Sequence, residues 1–253
     1  MSGQRSARPT PAGAHFLSPR LAARLVREAS VEPNDLVFDL GAGGGAITAP
    51  LAAAGARVIA VERDARAAAK LTRRFAGDPA VRVVAGDICA IPLPRRPFRV
   101  VANVPFGVTT TLLRRLLGSS LVAGDLVLAD GVVRAVTAPA PRNVQTLRWS
   151  LRFSFGRGLR LPARSFSPPP SVDARVLVIR RRELLGSAGE RQAYLALVDA
   201  AYRRPAVPWE RGGLLTHRQA RAVARERRLE PGRAARDLTA ADWAAAARVL
   251  ARR

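Results

Sequence analysis

The sequence LVFDLGAGGGAI, residues 36–47, decides the fold of this chain. Its first five residues are typical of a buried β-strand, and apolar residues at helical spacing follow the glycines. Glycine adopts positive φ angles and lets a ligand approach the backbone closely. A glycine-rich turn between a strand and a helix is therefore typical of a nucleotide-like cofactor site, with a tight turn that binds nothing as the structural alternative.

The pattern of strand followed by helix continues along the chain. Further short apolar runs predict strands at Val58–Val61, Val81–Ala85, Arg99–Ala102 and Leu126–Ala129. Helical spacing predicts helices at Ala46–Ala54, Asp64–Phe75 and Thr110–Leu117, and a Ser-Pro pair predicts an earlier helix from Pro19 to about Ala29. This alternation predicts an α/β fold with a doubly wound, mostly parallel sheet covered on both faces.

The pattern changes after residue 142. We expect two more strands, Leu147–Phe155 and Val172–Arg180, as an edge pair, and only helices beyond Arg182. The helices are predicted at Glu190–Tyr202, Thr216–Arg228 and Thr239–Ala251. The predicted domains are a disordered basic tail at 1–12, a catalytic α/β domain at 13–182 and a small helical domain at 183–253.

The charge is strongly positive and unevenly distributed. The chain carries 42 Lys and Arg against 19 Asp and Glu, a formal net charge of +23. Residues 31–141 hold 13 basic and 9 acidic side chains, whereas residues 180–253 hold 17 Arg and 8 acids. This asymmetry favours a nearly neutral catalytic part and a basic surface for a polyanion, most simply nucleic acid.

Other compositional features exclude several classes. The single cysteine, Cys89, rules out a disulfide framework or a cysteine-based zinc cluster, and we expect no metal. No apolar run reaches the ~18 residues of a membrane span, and the start lacks the apolar core of a signal peptide. We expect a cytoplasmic protein.

Acidic and amide side chains follow successive predicted strands. Glu62 ends the second strand, where it is suited to accept hydrogen bonds from ribose hydroxyls. Asp87 and Ile88 follow the third, where they are suited to an adenine amine and ring. Gly41, Gly43 and Gly45 leave both a dinucleotide and S-adenosylmethionine (SAM) open. Asp39, two residues before the first glycine, favours SAM because a carboxylate there suits a cationic amino-acid tail.

The tetrapeptide Asn103-Val104-Pro105-Phe106 follows the fourth strand. An amide, a rigid turn and an aromatic ring at a strand end suit the task of holding a flat ring that bears an amine. The Asn103 oxygen and the Val104 carbonyl are expected to accept the two amine hydrogens and to aim the nitrogen lone pair. Phe106 is expected to stack on the ring.

Together these motifs resemble those of SAM-dependent adenine N6-methyltransferases. The segments Gly13–Leu17 and Phe166–Asp173 resemble the ribosomal RNA branch, and Asn103–Thr110 with the arginine-rich ends most resembles the actinobacterial Erm enzymes. That resemblance implies methylation of one adenine of 23S rRNA, before full ribosome assembly, by a monomer that confers macrolide, lincosamide and streptogramin B resistance. It covers about residues 13–180.

The resemblance also implies further site residues. We expect cofactor contacts at His15, Leu17 and Arg63, and a second aromatic wall for the base at Phe166. His15 is interpreted as a pocket or hinge contact rather than an acid or base. The helical domain is expected to bind RNA.

The sequence departs from the family pattern at two places, which bear on how the protein closes over the cofactor and contacts the substrate. Ala14 stands where the family usually has Gln. Ala129–Arg134 stands where the family has a Gln followed by a basic helix, and Pro139, Pro141 and Asn143 are expected to weaken that helix further.

Three alternative functions stay open. They are a KsgA-type dimethyltransferase of small-subunit rRNA, a DNA adenine methyltransferase and a non-catalytic nucleic-acid-binding protein that retained the fold. The DNA enzymes usually have Asp at the position of Asn103.

Overall fold

The computed structural model describes residues 15–211 and 213–252. The expected tail and the Ala14 departure lie outside these residues. The strands are β1 Phe16–Leu17, β2 Leu36–Leu40, β3 Arg57–Glu62, β4 Val81–Ala85, β5 Phe98–Asn103, β6 Leu121–Ala129, β7 Phe153–Leu161, β8 Phe166–Ser167 and β9 Ala174–Arg181. The helices are α1 Pro19–Glu28, α2 Thr48–Ala53, α3 Ala65–Arg74, α4 Thr109–Leu117, α5 Asp130–Val136, α6 Val144–Ser150, α7 Ala188–Tyr202, α8 His217–Arg227 and α9 Ala240–Ala251.

Seven strands form one sheet in the order β4-β3-β2-β5-β6-β9-β7. The first five strands pair in parallel, as the apolar runs predict. The chain moves outward from β2 to β4 on one side and from β5 on the other, so the strand order reverses between β2 and β5. Ligands of open α/β sheets bind at the carboxyl ends of the strands beside such a reversal. Asp39 in β2 and Asn103 in β5 lie at these ends.

The strand predicted at Leu147–Phe155 is wrong. The structure places α6 first, followed by β7. Leu147 and Leu151 are both buried, and their spacing of four puts them on one helical face. Asn143, which we expected to weaken a helix, instead begins α6, because its side-chain oxygen accepts a hydrogen bond from Gln145 N at 2.8 Å. A helix also forms at Asp130–Val136 despite the departure from the family pattern.

The chain divides into two compact units. The first contains the residues up to Asp130 together with Gly158–Leu177, and the second contains Gly131–Arg157 together with the residues from Val178 onward. The sequence prediction placed one boundary at Arg182, close to the last of these divisions. The division places most of α5 and all of α6 in the helical unit, and Leu147 and Leu151 belong to that unit's own hydrophobic core.

The second unit is a helical bundle with well-defined helix ends. Trp243 and Tyr194 are fully buried at its centre, and the Tyr194 hydroxyl donates to Leu147 O at 3.0 Å. Helices α7, α8 and α9 all begin with a capping box, in which two orphan backbone N–H groups are satisfied reciprocally. In α9 the box is formed by Thr239 and Asp242: Asp242 N donates to the Thr239 hydroxyl at 3.2 Å, and Thr239 N donates to the Asp242 carboxylate at 2.9 Å.

Candidate active site

The glycine turn after β2 is fixed to the end of β3. The N–H groups of Gly41 and Ala42 both donate to Val61 O at 2.9 Å. Gly43 has a φ of +52°, and a Cβ atom there would lie 3.0 Å from the ring of Phe16. Glycine is thus required by the backbone and by the close approach of Phe16. Phe16 lies between His15 and Leu17, two expected cofactor contacts, but nothing in the sequence alone predicts its contact with Gly43.

Asp39 is a buried carboxylate with one oxygen unpaired. Its side chain accepts a hydrogen bond from the Thr48 hydroxyl at 2.7 Å, and the residue is 1% exposed. Its other oxygen, Oδ1, is buried and has no hydrogen-bond partner among the described residues. Burial raises the pKa of Asp39 to about 7, although the Thr48 hydrogen bonds oppose this shift. A cationic group would satisfy this oxygen and favour the ionised form.

Glu62 at the end of β3 holds the turn in place. One oxygen accepts a hydrogen bond from Gly43 N and the other from Asp64 N, both at 2.8 Å. A carboxylate offers about four lone-pair sites, so each oxygen retains capacity for a ribose hydroxyl. Glu62 therefore orders the glycine turn, a role separate from the ribose contact predicted for it. Arg63, the next residue, is exposed.

The loop after β4 carries the residues expected beside an adenine. Asp87 accepts a hydrogen bond from Cys89 N at 2.7 Å, and Ile88 is buried. Arg115, from α4, donates to the carbonyl oxygens of Ile88 at 3.1 Å and Ile91 at 2.5 Å. Arg115 thus ties this loop to the helix that follows the tetrapeptide. The sequence gives no signal for this contact, because Arg115 is one of two adjacent arginines on an amphipathic helix.

The structure fixes the orientation of the Asn103 amide. Its Nδ2 donates to the backbone oxygen of His15 at 2.6 Å, across 88 residues of sequence. The amide oxygen is therefore the free end, and no donor among residues 15–211 and 213–252 occupies it. Val104 is buried, and its N–H donates to Val127 O at 3.3 Å. The glycine turn is close by, since a Cβ atom on Gly41 would lie 3.6 Å from the backbone oxygen of Asn103 and 3.7 Å from Pro105 Cδ.

The aromatic residues of the site differ in exposure. Phe106 is partly exposed at the start of a short 3-10 turn, and its ring centroid lies 6.0 Å from that of His15. His15 Nδ1 lies 2.9 Å from Pro168 O and so donates a hydrogen bond to it. Phe166 is 5% exposed, and its backbone pairs with Leu17 in the β1–β8 ribbon. In this structure His15, and not Phe166, is the ring beside Phe106.

Asp173 orders the segment that carries Phe166. Its carboxylate accepts hydrogen bonds from Ala163 N and from Arg160, both at 2.9 Å. The Ala163 hydrogen bond, together with Arg160, holds the pKa of Asp173 below its usual range. The carboxylate therefore closes a loop between Ala163 and Asp173, ten positions apart, and this loop includes Phe166. This explains why a charged residue ends the Phe166–Asp173 motif.

The chain matches a known protein family over most of its length. The family model described as "Ribosomal RNA adenine dimethylase" matches residues 9–252. The chain belongs to this family. It is an rRNA adenine N6-methyltransferase of the Erm and KsgA type and uses SAM, as the sequence motifs predicted.

Several curated members of the rRNA adenine methyltransferases are similar over most of the chain. An rRNA adenine N-6-methyltransferase of Bacillus anthracis is 30% identical over 243 residues, which is 93% of this chain and 85% of that protein. The mycinamicin-resistance protein MyrB of Micromonospora griseorubida is 36% identical over 92% of this chain and 76% of its own. The ribosomal RNA small subunit methyltransferase A of a Synechococcus strain is 30% identical over 94% of this chain and 91% of its own.

The fold is also similar to a solved structure. The 23S rRNA methyltransferase ErmE superposes with a TM-score of 0.85 over 93% of this chain and 99% of its own, at 24% identity. The expected Rossmann-like fold with C-terminal helices is therefore confirmed. Nowhere in the described residues is a helix long and apolar enough to span a membrane. Nor does the described part bring together three His, Cys, Asp or Glu side chains that could hold a metal.

The residues of the site fit SAM. The unpaired Asp39 Oδ1 suits the ammonium group of its amino-acid tail, and the tight glycine turn allows close backbone approach. Glu62 and Asp87 lie at the ends of neighbouring strands, where they suit the ribose and the adenine. These residues and Asn103 all lie at the carboxyl ends of parallel strands or just beyond them.

Proposed function

We propose that this protein methylates N6 of one unpaired adenine in 23S rRNA and so confers macrolide, lincosamide and streptogramin B resistance. The observation that carries the large-subunit choice is the 36% identity to MyrB, a protein named for mycinamicin resistance. The motif Asn103–Thr110 supports the same choice. We further propose that the enzyme acts as a cytoplasmic monomer on rRNA before ribosome assembly is complete.

Asn103 is the residue that prepares the adenine amine to accept the methyl group. An adenine amine is a poor nucleophile because its lone pair is delocalised into the ring. When the Asn103 oxygen and the Val104 carbonyl each accept one N–H, the nitrogen moves towards tetrahedral geometry and its lone pair becomes directional. The hydrogen bond from Asn103 Nδ2 to His15 O prevents the amide from flipping, so that the oxygen stays available.

The cofactor supplies an electrophilic methyl group on a sulfonium, and the protein must hold the two reactants in line. Asp39, Glu62, Asp87 and Ile88 hold the cofactor, with further contacts proposed for His15, Leu17 and Arg63. The base must leave its stack to reach Asn103, and an aromatic platform offsets part of that cost. Phe106 is proposed as this platform and Phe166 as its second wall. No base is needed before attack, because the proton becomes acidic only after alkylation.

One observation favours a second function. The small-subunit methyltransferase of Synechococcus is 30% identical over 94% of this chain, so dimethylation of 16S rRNA is the alternative. The two functions are distinguished by incubating the purified enzyme with labelled SAM and protein-free 23S or 16S rRNA. Our proposal predicts label in 23S rRNA only. Label in 16S rRNA alone would replace it with the alternative.

A further inference from the structure

Helix α8 exposes a row of arginines on one face. Arg218, Arg221 and Arg225 are all exposed and recur at spacings of three and four residues, which places them side by side along the helix. Arg228, three residues beyond, ends the helix with a φ of +53°. Together these four residues form the arginine face of α8.

The arginine face is unpaired, in contrast to the neighbouring arginine. Arg227 lies on another side of α8 and donates to Asp242 at 2.8 Å. The side chains of the arginine face make no hydrogen bond or ion pair with any residue in 15–211 or 213–252. Their guanidinium donors are thus available to a ligand, and Ala222 between them adds little bulk.

The helix beneath these arginines is held firmly in its own unit. Thr216 and Gln219 form its capping box, and Ala220 and Val223 are buried in the helical core. The Gln219 side chain reaches Val249 O in α9 at 3.5 Å. The arginines therefore project from a fixed backbone, which lowers the entropy lost when they bind a partner.

We propose that the arginine face binds the phosphate backbone of the rRNA substrate. Repeated guanidinium groups with no acidic partner match a repeated anion, and guanidinium pairs with phosphate through two parallel hydrogen bonds. Phosphate contacts set the register and supply affinity, whereas the base is selected elsewhere. This inference rests on the proposed function, since it assigns that substrate's backbone to one helix.

The chain offers a matched control for this surface. Arg66, Lys70 and Arg73 on α3 are also exposed, also spaced by four and three, and also make no side-chain hydrogen bond or ion pair with a described residue. They belong to the other compact unit. Replacing either set by Gln removes three charges without breaking a contact, so the effect of location is separated from the effect of net charge.

The test compares the triple variant R218Q/R221Q/R225Q with R66Q/K70Q/R73Q and the wild type. Binding of a 23S rRNA hairpin is measured by fluorescence anisotropy at 50–200 mM KCl. Each lost phosphate contact removes about 0.7 to 0.9 from the slope of log affinity against log salt, so the α8 variant is expected to lose about 2 to 3 and to bind at least tenfold more weakly at 50 mM. The α3 variant is expected to keep the wild-type slope.

Two results would contradict the proposal that the arginine face binds the rRNA backbone. An α8 variant with the wild-type slope, or an α3 variant with an equal loss, would show that this helix has no special part in binding. Failure of the proposed function is a separate result, since wild-type enzyme would then leave 23S rRNA unmethylated. Binding of SAM and the melting temperature, measured on the same samples, are expected to be unchanged in both variants.

Discussion

At the scale of single residues, Asp39 has an environment that is unfavourable without a ligand. A buried polar atom that lacks a partner costs about 1 to 3 kcal/mol, and more when it is charged. Asp39 Oδ1 is such an atom, and its carboxyl pKa is raised to about 7 by burial. Local costs of this kind are typical of functional sites. We propose that the cofactor ammonium group is the missing partner of this oxygen.

A pH-dependent affinity follows from the raised pKa of Asp39. An ammonium partner lowers the pKa in the complex, so binding below pH 7 must release a proton. The affinity for S-adenosylhomocysteine is therefore expected to fall as pH decreases from 7 to 5, by up to about tenfold per unit, and to level off near 7.5. Isothermal titration calorimetry across this range checks it. A flat profile would remove Asp39 from the ammonium site.

Thr48 provides the control for that profile. Thr48→Val removes the hydroxyl hydrogen bond that opposes the raised pKa of Asp39 and keeps the backbone one, so the midpoint is expected to move to higher pH. Thr48→Ser keeps the hydroxyl and is expected to follow the wild type. Identical midpoints in all three proteins would show that Thr48 has no influence on the carboxyl group.

Phe106 provides a prediction about the base. Stacking of a base on an aromatic side chain contributes about 1 to 3 kcal/mol, so Phe106→Ala is expected to reduce kcat/KM for rRNA by roughly tenfold to a hundredfold. Phe106→Tyr keeps a ring and is expected to stay within a few-fold of wild type. Steady-state methylation of 23S rRNA measures both. If the two variants lost activity equally, stacking would not be the role of this ring.

At the scale of elements, Arg115 joins α4 to the cofactor loop after β4. Arg115→Met removes two charge-assisted hydrogen bonds to Ile88 and Ile91, so the loop is expected to loosen and the Kd for SAM to rise about tenfold, with kcat at saturating SAM largely retained. Calorimetry and steady-state kinetics measure the two quantities. The adjacent Arg114 is exposed, and Arg114→Met serves as the matched control. Equal Kd values for both variants would contradict the role of Arg115.

The sequence predicts secondary structure well where a strand is buried on both faces and therefore wholly apolar. It predicts poorly where one segment fits both the two-residue period of a strand and the 3.6-residue period of a helix. The parallel strands were found because apolar runs such as Val100–Val101 are buried on both faces. The segment from Leu147 to Phe155 alternates enough to imitate a strand, whereas the pattern of burial is helical, since the buried residues are Thr146, Leu147, Ser150 and Leu151. Contacts across long sequence separations, such as Asn103 with His15 or Phe16 with Gly43, leave no local signal.

At the scale of the whole molecule, charge and chemistry occupy different parts of the chain. The glycine turn, the acidic strand ends and the tetrapeptide all belong to the first compact unit. The second unit contains the arginine face and residues 180–253, whose 17 Arg and 8 acidic side chains leave a clear positive excess. The nearly balanced charge of residues 31–141 suits a site that must hold a cationic cofactor, whereas a basic surface suits the polyanion that brings the base.

The most direct measurement maps the methylated base. Protein-free 23S rRNA is treated with SAM and either the wild type or Asn103→Ala, and mass spectrometry of ribonuclease fragments then locates the added methyl mass. We expect one methylated fragment, with a single modified unpaired adenine, for the wild type and none for Asn103→Ala, although the variant still binds SAM. Methylation of equal extent with Asn103→Ala, or unmethylated 23S rRNA with the wild type, would contradict this mechanism.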